Sequence, residues 1–335
     1  MNSIFLRVSL AALGKYSRIQ SQIDAKELDP MTHLQLFGKY RRPQIQGPSF
    51  VFISLRTIFV LVLFLFSQRV FSQVFSGPAS RATGGAGRAI IDASEAALVN
   101  PATLTQARGL SGAFHKGSRW FNGGPRSEAA LVFVDNSESV FLPASVAIVV
   151  VDTPQVELYD IQITGAHKLT GKLSGGFTYH HSRLSERHNS AKSSVDNVHL
   201  GLLYTPYLNL GFAVVIYDVF PGETESIMNE FFPRQRWALG AQYNYSEGIR
   251  TRMDLASAPK EGQDSPLDVM WGLETQVVEN MIVRMGHEWR NSEHHHFFTV
   301  GIGWVGPRLS ADLALQFESE GRQEPSQVVD LRIPL

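Results

Sequence analysis

The feature that most constrains this chain is a series of short stretches, from Gly109 to the C-terminus, in which apolar and polar residues alternate with a period of two. Successive side chains of a strand point to opposite faces, so such a stretch is a strand lying between two different environments. The later stretches are the clearest. Leu267, Val269, Trp271 and Leu273 alternate with Asp268, Met270, Gly272 and Glu274. Phe298, Val300, Ile302 and Trp304 alternate with Thr299, Gly301 and Gly303, and Leu309, Ala311, Leu313, Leu315 and Phe317 with Ser310, Asp312, Ala314 and Gln316. Fourteen segments fit, centred on 109–117, 128–135, 144–152, 156–169, 172–182, 195–205, 208–217, 235–246, 249–257, 267–277, 280–290, 296–304, 308–318 and 326–335. A membrane-spanning strand needs about nine to eleven residues when tilted, and bacterial outer-membrane barrels have an even strand number.

The connections carry a second signal. Alternate ones are short (Thr170-Gly171, Thr205-Pro206-Tyr207, Ser246-Glu247-Gly248, Val305-Gly306-Pro307), and those between are mostly longer (118–127, 183–194, 218–234, 258–266, 319–325). Short periplasmic turns and longer outer loops are the habit of outer-membrane barrels. The exceptions are 136–143, long where a turn is expected, and Thr153-Pro154-Gln155, short where a loop is expected. A soluble β-sandwich would alternate too; an export signal, the strand count and the loop asymmetry separate the two, together with aromatic residues near the strand ends (Trp237, Tyr243, Tyr245, Trp271, Trp289, Trp304 and Phe317) that suit interfacial girdles. The reading is an all-β, transmembrane, antiparallel barrel of about 14 strands over 109–335.

The chain ahead of the strands supports export. Thr57 to Phe66 is TIFVLVLFLF, with Arg56 before it and Val70-Phe71-Ser72 after it. This is the order of a secretory signal, and the apolar run is too short to span a bilayer as a helix. Residues 51–72 are therefore read as a signal peptide, and 73–108 as a segment between signal and barrel. Residues 1–50 show neither periodicity nor motif; translation is expected to begin near Val51 or Leu55, or at Met31. Residues 1–72 hold nine Lys/Arg against three Asp/Glu, and the remainder 21 against 28. A basic head on an acidic body argues against a nucleic-acid partner. There is no cysteine, hence no disulfide and no thiolate metal site. No cofactor is expected.

Residues 84–104 read GGAGRAIIDASEAALVNPATL. A Gly/Ala-rich opening, an Asp, then a small-residue run into Asn100-Pro101-Ala102 resembles the FadL/TodX family of outer-membrane transport proteins and its PorV-like relatives. Asn100 suits a cap and Pro101 the first helical position. The resemblance implies that 73–108 is a hatch folded inside a fourteen-strand barrel of the Gram-negative outer membrane. It further implies passage of hydrophobic small molecules, of fatty-acid or aromatic type, with outer-membrane lipids around the barrel. The PorV-like side of the resemblance implies instead a barrel that binds a protein partner without transporting a solute. Transport predicts an apolar cavity under the 218–234 loop and a gap or kink in the wall beside the hatch; a structural barrel predicts a filled lumen and a continuous wall. The body is shorter than is usual for the fatty-acid transporters, and the chain ends on Leu335 rather than an aromatic residue.

Candidate site residues follow from these assignments. The hatch motif is Asn100, Pro101 and Ala102. The longest loop carries Phe220, Ile227, Met228, Phe231 and Phe232, a greasy landing site for an apolar ligand or an amphipathic helix packed over the mouth. The polar strand face collects Arg250, Arg252, Asp254, Asp268, Glu274, Arg284, Glu288 and Asp312, with Asp330 and Arg332 on the last strand. These lumen charges are expected to pair across strands and to help hold the hatch. Other chemistry is set aside. His294-His295-His296, near His287 and Glu293, cannot all reach one ion from a regular strand, because neighbours diverge. The same divergence is held against a His180-His181-Ser182 hydrolase, which also needs an orienting third group. Gly84-x-x-Gly87 follows no strand and precedes no Gly-Lys-Ser/Thr, so it is not a phosphate loop. No catalytic or metal-binding residue is assigned, and the chain is not read as an enzyme.

Overall fold

A computed structural model describes residues 76–335 except 90–92, 122–123, 188–191, 221–234, 247, 258–265, 292–294 and 320–323. The leader over 51–72 and the extension over 1–50 lie outside the described residues. Fourteen antiparallel strands form one closed barrel in simple sequential order. They are β1 (Gly109–Phe121), β2 (Gly124–Asn136), β3 (Ala144–Asp152), β4 (Val156–Lys168), β5 (Leu173–Glu186), β6 (Lys192–Tyr207) and β7 (Leu210–Tyr217). The second half comprises β8 (Arg236–Ser246), β9 (Ile249–Ser257), β10 (Leu267–Val278), β11 (Met281–Arg290), β12 (His295–Val305), β13 (Ser310–Glu318) and β14 (Ser326–Pro334). The barrel closes by pairing β1 with β14, from Ser111 opposite Pro334 to Ser118 opposite Gln327.

Each of the fourteen periodic segments is a strand, and the alternation has the sense a membrane demands. On β10 Leu267 and Trp271 face outward, whereas Asp268, Met270, Gly272 and Glu274 are buried inside. On β12 Phe298, Val300, Ile302 and Trp304 face outward over a lumen-facing Thr299. Closure leaves no unpaired edge, so an apolar band can face lipid while every strand's backbone is hydrogen-bonded. Tyr243, Tyr245, Trp271, Trp289, Trp304 and Phe317 are all exposed on this outer surface.

One end of the barrel, the turn end, holds Gly109 and Pro334. The other is the loop end. Two connections expected to be long are largely strand: β1 and β2 run on through 118–121 and 124–127, and β5 and β6 through 183–186 and 192–194. Beyond the apolar band a strand needs no apolar face, so its periodic signal fades while its backbone pairing continues. The two exceptions of length remain, with 137–143 at the turn end and 153–155 at the loop end. Among the described residues, register shifts occur beside short turns, at Tyr204/Tyr207, Asn244/Ser246 and Gln276/Val278.

Candidate functional site

Before β1 the chain occupies the lumen as two short helices and a 3-10 turn: α1 (Pro78–Ala82), α2 (Ala93–Val99) and a 3-10 helix over Pro101–Gln106. Helices this short are not stable alone, so their ends are tied. Glu95 of α2 accepts the N–H groups of Ala79 and Ser80 at 2.7 and 3.0 Å, supplying carboxylate oxygens to the first turn of α1. Gly84 and Gly85 turn the chain after α1 with φ of 67° and 81°, a region that disfavours any Cβ. Asn100 ties the two halves together. Its Oδ1 accepts the Ala102 N–H at 3.0 Å, and its Nδ2 donates to the Arg88 carbonyl at 2.7 Å. Pro101 occupies the first position of the 3-10 helix, where its missing N–H costs nothing.

Polar contacts from several strands hold this hatch. Arg81 donates to Glu128 of β2 at 2.7 Å. Thr299 of β12 accepts the Gly84 N–H and donates to the Ala82 carbonyl, both at 2.9 Å. Asp254 of β9 accepts the N–H groups of Gly87 and Arg88 and the Arg88 guanidinium, through one oxygen at 2.8, 3.0 and 2.9 Å. Burial disfavours the Arg88 charge, and the Asp254 carboxylate beside it supplies the counter-charge. Arg88 also donates to the Tyr217 hydroxyl, which donates onward to the Val99 carbonyl at 2.6 Å.

Space, as well as polarity, is fitted. A Cβ built on Gly176 of β5 would lie 2.5 Å from the Pro101 carbonyl carbon. On Gly201 of β6 it would run into Asn100, on Gly240 of β8 into Asp254 and Arg88, and on Gly272, Gly286 and Gly301 into the 82–84 backbone and side chains. Six lumen-facing glycines on six strands thus form the cradle against which the hatch lies. Beside α2 and the 3-10 helix the wall changes character. Leu98, Val99 and Leu104 pack in one buried cluster with inward-facing Val132 and Val134 of β2, Val149 and Val151 of β3, Leu158 of β4 and Leu184 of β5. The pairing of β1 through β4 past this cluster is unbroken.

This barrel fold is shared with solved structures. The Pseudomonas putida toluene transporter TodX matches with a TM-score of 0.64 at 12% identity, over 80% of this chain and 100% of that one. The FadL/TodX fold is the fold of this chain. The CymD monoaromatic hydrocarbon channel matches at 0.61 and 14% identity, over 79% of this chain and 99% of that one. A Pseudomonas aeruginosa FadL homologue matches at 0.52 and 12% identity, with the same coverage. No family model matches the sequence, and no curated protein matches it.

Within this FadL/TodX-fold barrel the predicted site residues separate into groups. Asn100, Pro101 and Ala102 are buried at the meeting point of α2, the 3-10 helix and the β5–β6 wall. Of the lumen charges, Asp254 binds the hatch. Glu274 gathers Arg250, Arg252 and Arg284 at 2.8, 3.2 and 2.7 Å, and Arg284 also pairs with Asp312, which makes a brace along β9–β13. Arg332 extends it to Asp330 at 3.3 Å. Glu288 accepts from Arg290 and Gln316 at 2.7 and 2.8 Å, and Asp268 is buried on the lumen face. Phe220 is exposed at the loop end, its backbone bonded to Asn197. Ile227, Met228, Phe231 and Phe232 lie outside the described residues, as do Glu293 and His294. His295 and His296 diverge: His295 pairs inward with Glu318, and His296 stacks outward on Trp289.

His180 and Ser182 do not diverge, contrary to the expectation for the His180-His181-Ser182 run. They are two apart, so both face the lumen, where His180 Nδ1 lies 3.2 Å from Ser182 Oγ. Only His181 turns outward, to Asp196. The Ser182 hydroxyl donates to Asp160 at 2.6 Å, an orienting contact rather than one that prepares a nucleophile. Reading the lumen from the charged strands alone also missed the apolar sector on β2–β5. On β2 and β3, which supply most of it, both faces are apolar, so the alternation that marks inside from outside is lost.

Proposed function

We propose that this barrel passes hydrophobic small molecules, of aromatic or fatty-acid type, across the Gram-negative outer membrane through movement of its N-terminal hatch. The observation that carries this reading is the apolar lumen sector. A barrel for polar solutes has a polar, water-filled interior. Here Val132, Val134, Val149, Val151, Leu158 and Leu184 face inward and are covered by Leu98, Val99 and Leu104 of the hatch. Withdrawing those three side chains would leave an apolar strip along the wall. The fold is one also found in proteins described as a toluene transporter and a monoaromatic hydrocarbon channel. The unbroken β1–β4 pairing and the glycine cradle describe the closed arrangement in this reading.

The same two observations favour a second reading, a structural barrel whose filled lumen never opens and whose surface binds a protein partner. Uptake separates them. A deletion strain, complemented with the wild-type chain or with a Val132→Asp, Val149→Asp double variant, is given labelled toluene or oleate. Transport predicts uptake that depends on the wild-type chain and is lost in the variant. Equal uptake with and without the chain leaves the structural barrel.

A further inference from the structure

We propose that His180, His199 and Asp218 form a binding site for a divalent transition-metal ion of the zinc class. The three residues come from β5, β6 and the first position after β7, and their ligand atoms lie within 4.8 Å of one another. His180 Nε2 is 2.9 Å from Asp218 Oδ1, and His199 Nδ1 is 3.8 Å from the same oxygen. The imidazole centroids are 4.4 Å apart. Ligand atoms at about 2.0–2.2 Å from one tetrahedral Zn²⁺ stand roughly 3.3–3.5 Å from each other, so these spacings bracket what the ion requires.

The surroundings are built as a metal site's are. A ligating imidazole is usually oriented by a carboxylate on its other nitrogen. His180 Nδ1 faces Asp160 Oδ1 at 3.2 Å, and Asp160 is held in turn by Ser182 at 2.6 Å and Gln162 at 2.6 Å. All four are buried. Both ring nitrogens of His180 thus face oxygen acceptors, and the ion takes the place of the hydrogen between Nε2 and Asp218 Oδ1, which leaves as a proton. Asp218 is the one non-glycine residue at positive φ, 52°, among the described residues. Its N–H donates to His199 Nδ1 at 3.0 Å, and coordination through Nδ1 exchanges that bond for the ion. Sparsely populated backbone held in place by its surroundings concentrates at functional positions. Two imidazoles and one carboxylate select zinc, cobalt or nickel over calcium or magnesium, which prefer all-oxygen shells.

The test uses the tag-free full chain in detergent, stripped with EDTA. It is titrated with ZnCl₂ by calorimetry and with CoCl₂ by visible absorption. A second sample is refolded with Zn²⁺, dialysed and assayed for bound metal, which covers slow entry into a buried site. The expected result is one ion per chain. Binding is lost in His199→Ala and in Asp218→Asn, whose side chain still tolerates positive φ. Asp160→Asn weakens it roughly 10- to 100-fold. His296→Ala, on the outer surface, leaves it unchanged. Heat-dependent mobility in SDS gels confirms that each variant is folded. No stoichiometric ion in either arm overturns the site, as does binding that survives His199→Ala and Asp218→Asn or that disappears with His296→Ala.

Discussion

Gly176→Ala is the sharpest probe of how the hatch is held. The added methyl carbon would sit 2.5 Å from the Pro101 carbonyl carbon and 2.6 Å from the Ala102 nitrogen. Comfortable carbon contacts lie at about 3.5–4.0 Å, so hatch and wall must separate by roughly 1 Å. The obstacle is backbone on both sides, and no side chain can swing away to make room. The nearby Thr105 Oγ1 to Ser174 Oγ bond of 2.9 Å would lengthen with the same displacement. Overpacking of this kind costs about 1–3 kcal/mol. The barrel's own ladder is untouched, so the loss should fall on the hatch. The assay is limited proteolysis of the folded protein in detergent, following cleavage between residues 76 and 108, alongside leakage of a large antibiotic into cells. Gly176→Ala should be cut faster, by the factor of about 5 to 150 that 1–3 kcal/mol represents when opening is in rapid equilibrium, and should leak more. Gly171→Ala, in a turn with nothing within 4 Å of its Cβ, should behave as wild type. Equal protection in Gly176→Ala and wild type would refute the claim that the hatch rests against this wall.

Asp254→Ala removes the carboxylate that faces buried Arg88 and two hatch N–H groups; breaking such a pair costs about 3–5 kcal/mol, read as a fall in the urea midpoint for hatch release. Asn100→Ala forfeits the cap and the bond to the Arg88 carbonyl, and a loss of about 1–2 kcal/mol is expected in the same measurement. Arg284→Glu sets a third carboxylate beside Glu274 and Asp312. It should lower barrel melting temperature, and a matched Asp312→Arg change should recover part of the loss. Arg250→Glu, at a side chain 42% exposed, should cost less than Arg284→Glu in the same melt, since partly solvated pairs are worth about 0–1 kcal/mol.

Strand number, the inside-outside sense of β10, β12 and β13, and most turn positions were legible in residues 109–335, because the period of two is a local property; the turn expected at Thr205-Pro206-Tyr207 lies instead at 208–209, with those three residues still in β6. It appears wherever one face of a strand meets lipid and the other a polar lumen. The cap geometry of Asn100-Pro101-Ala102 is local in the same way. What only the tertiary structure decided is every relation between strands. Gly176, Gly201, Gly240, Gly272, Gly286 and Gly301 look like ordinary small residues until the hatch backbone is seen lying on them. His180, His199 and Asp218 stand far apart in the chain and meet because β5, β6 and β7 are neighbours in register. On β2 and β3 valines face both lipid and lumen, and apolar residues on both faces give no alternation from which to read the side that the hatch covers. The pattern within a strand records what each face touches as a class. Which groups share a height in the lumen depends on register and closure, and those are set by contacts distant in sequence.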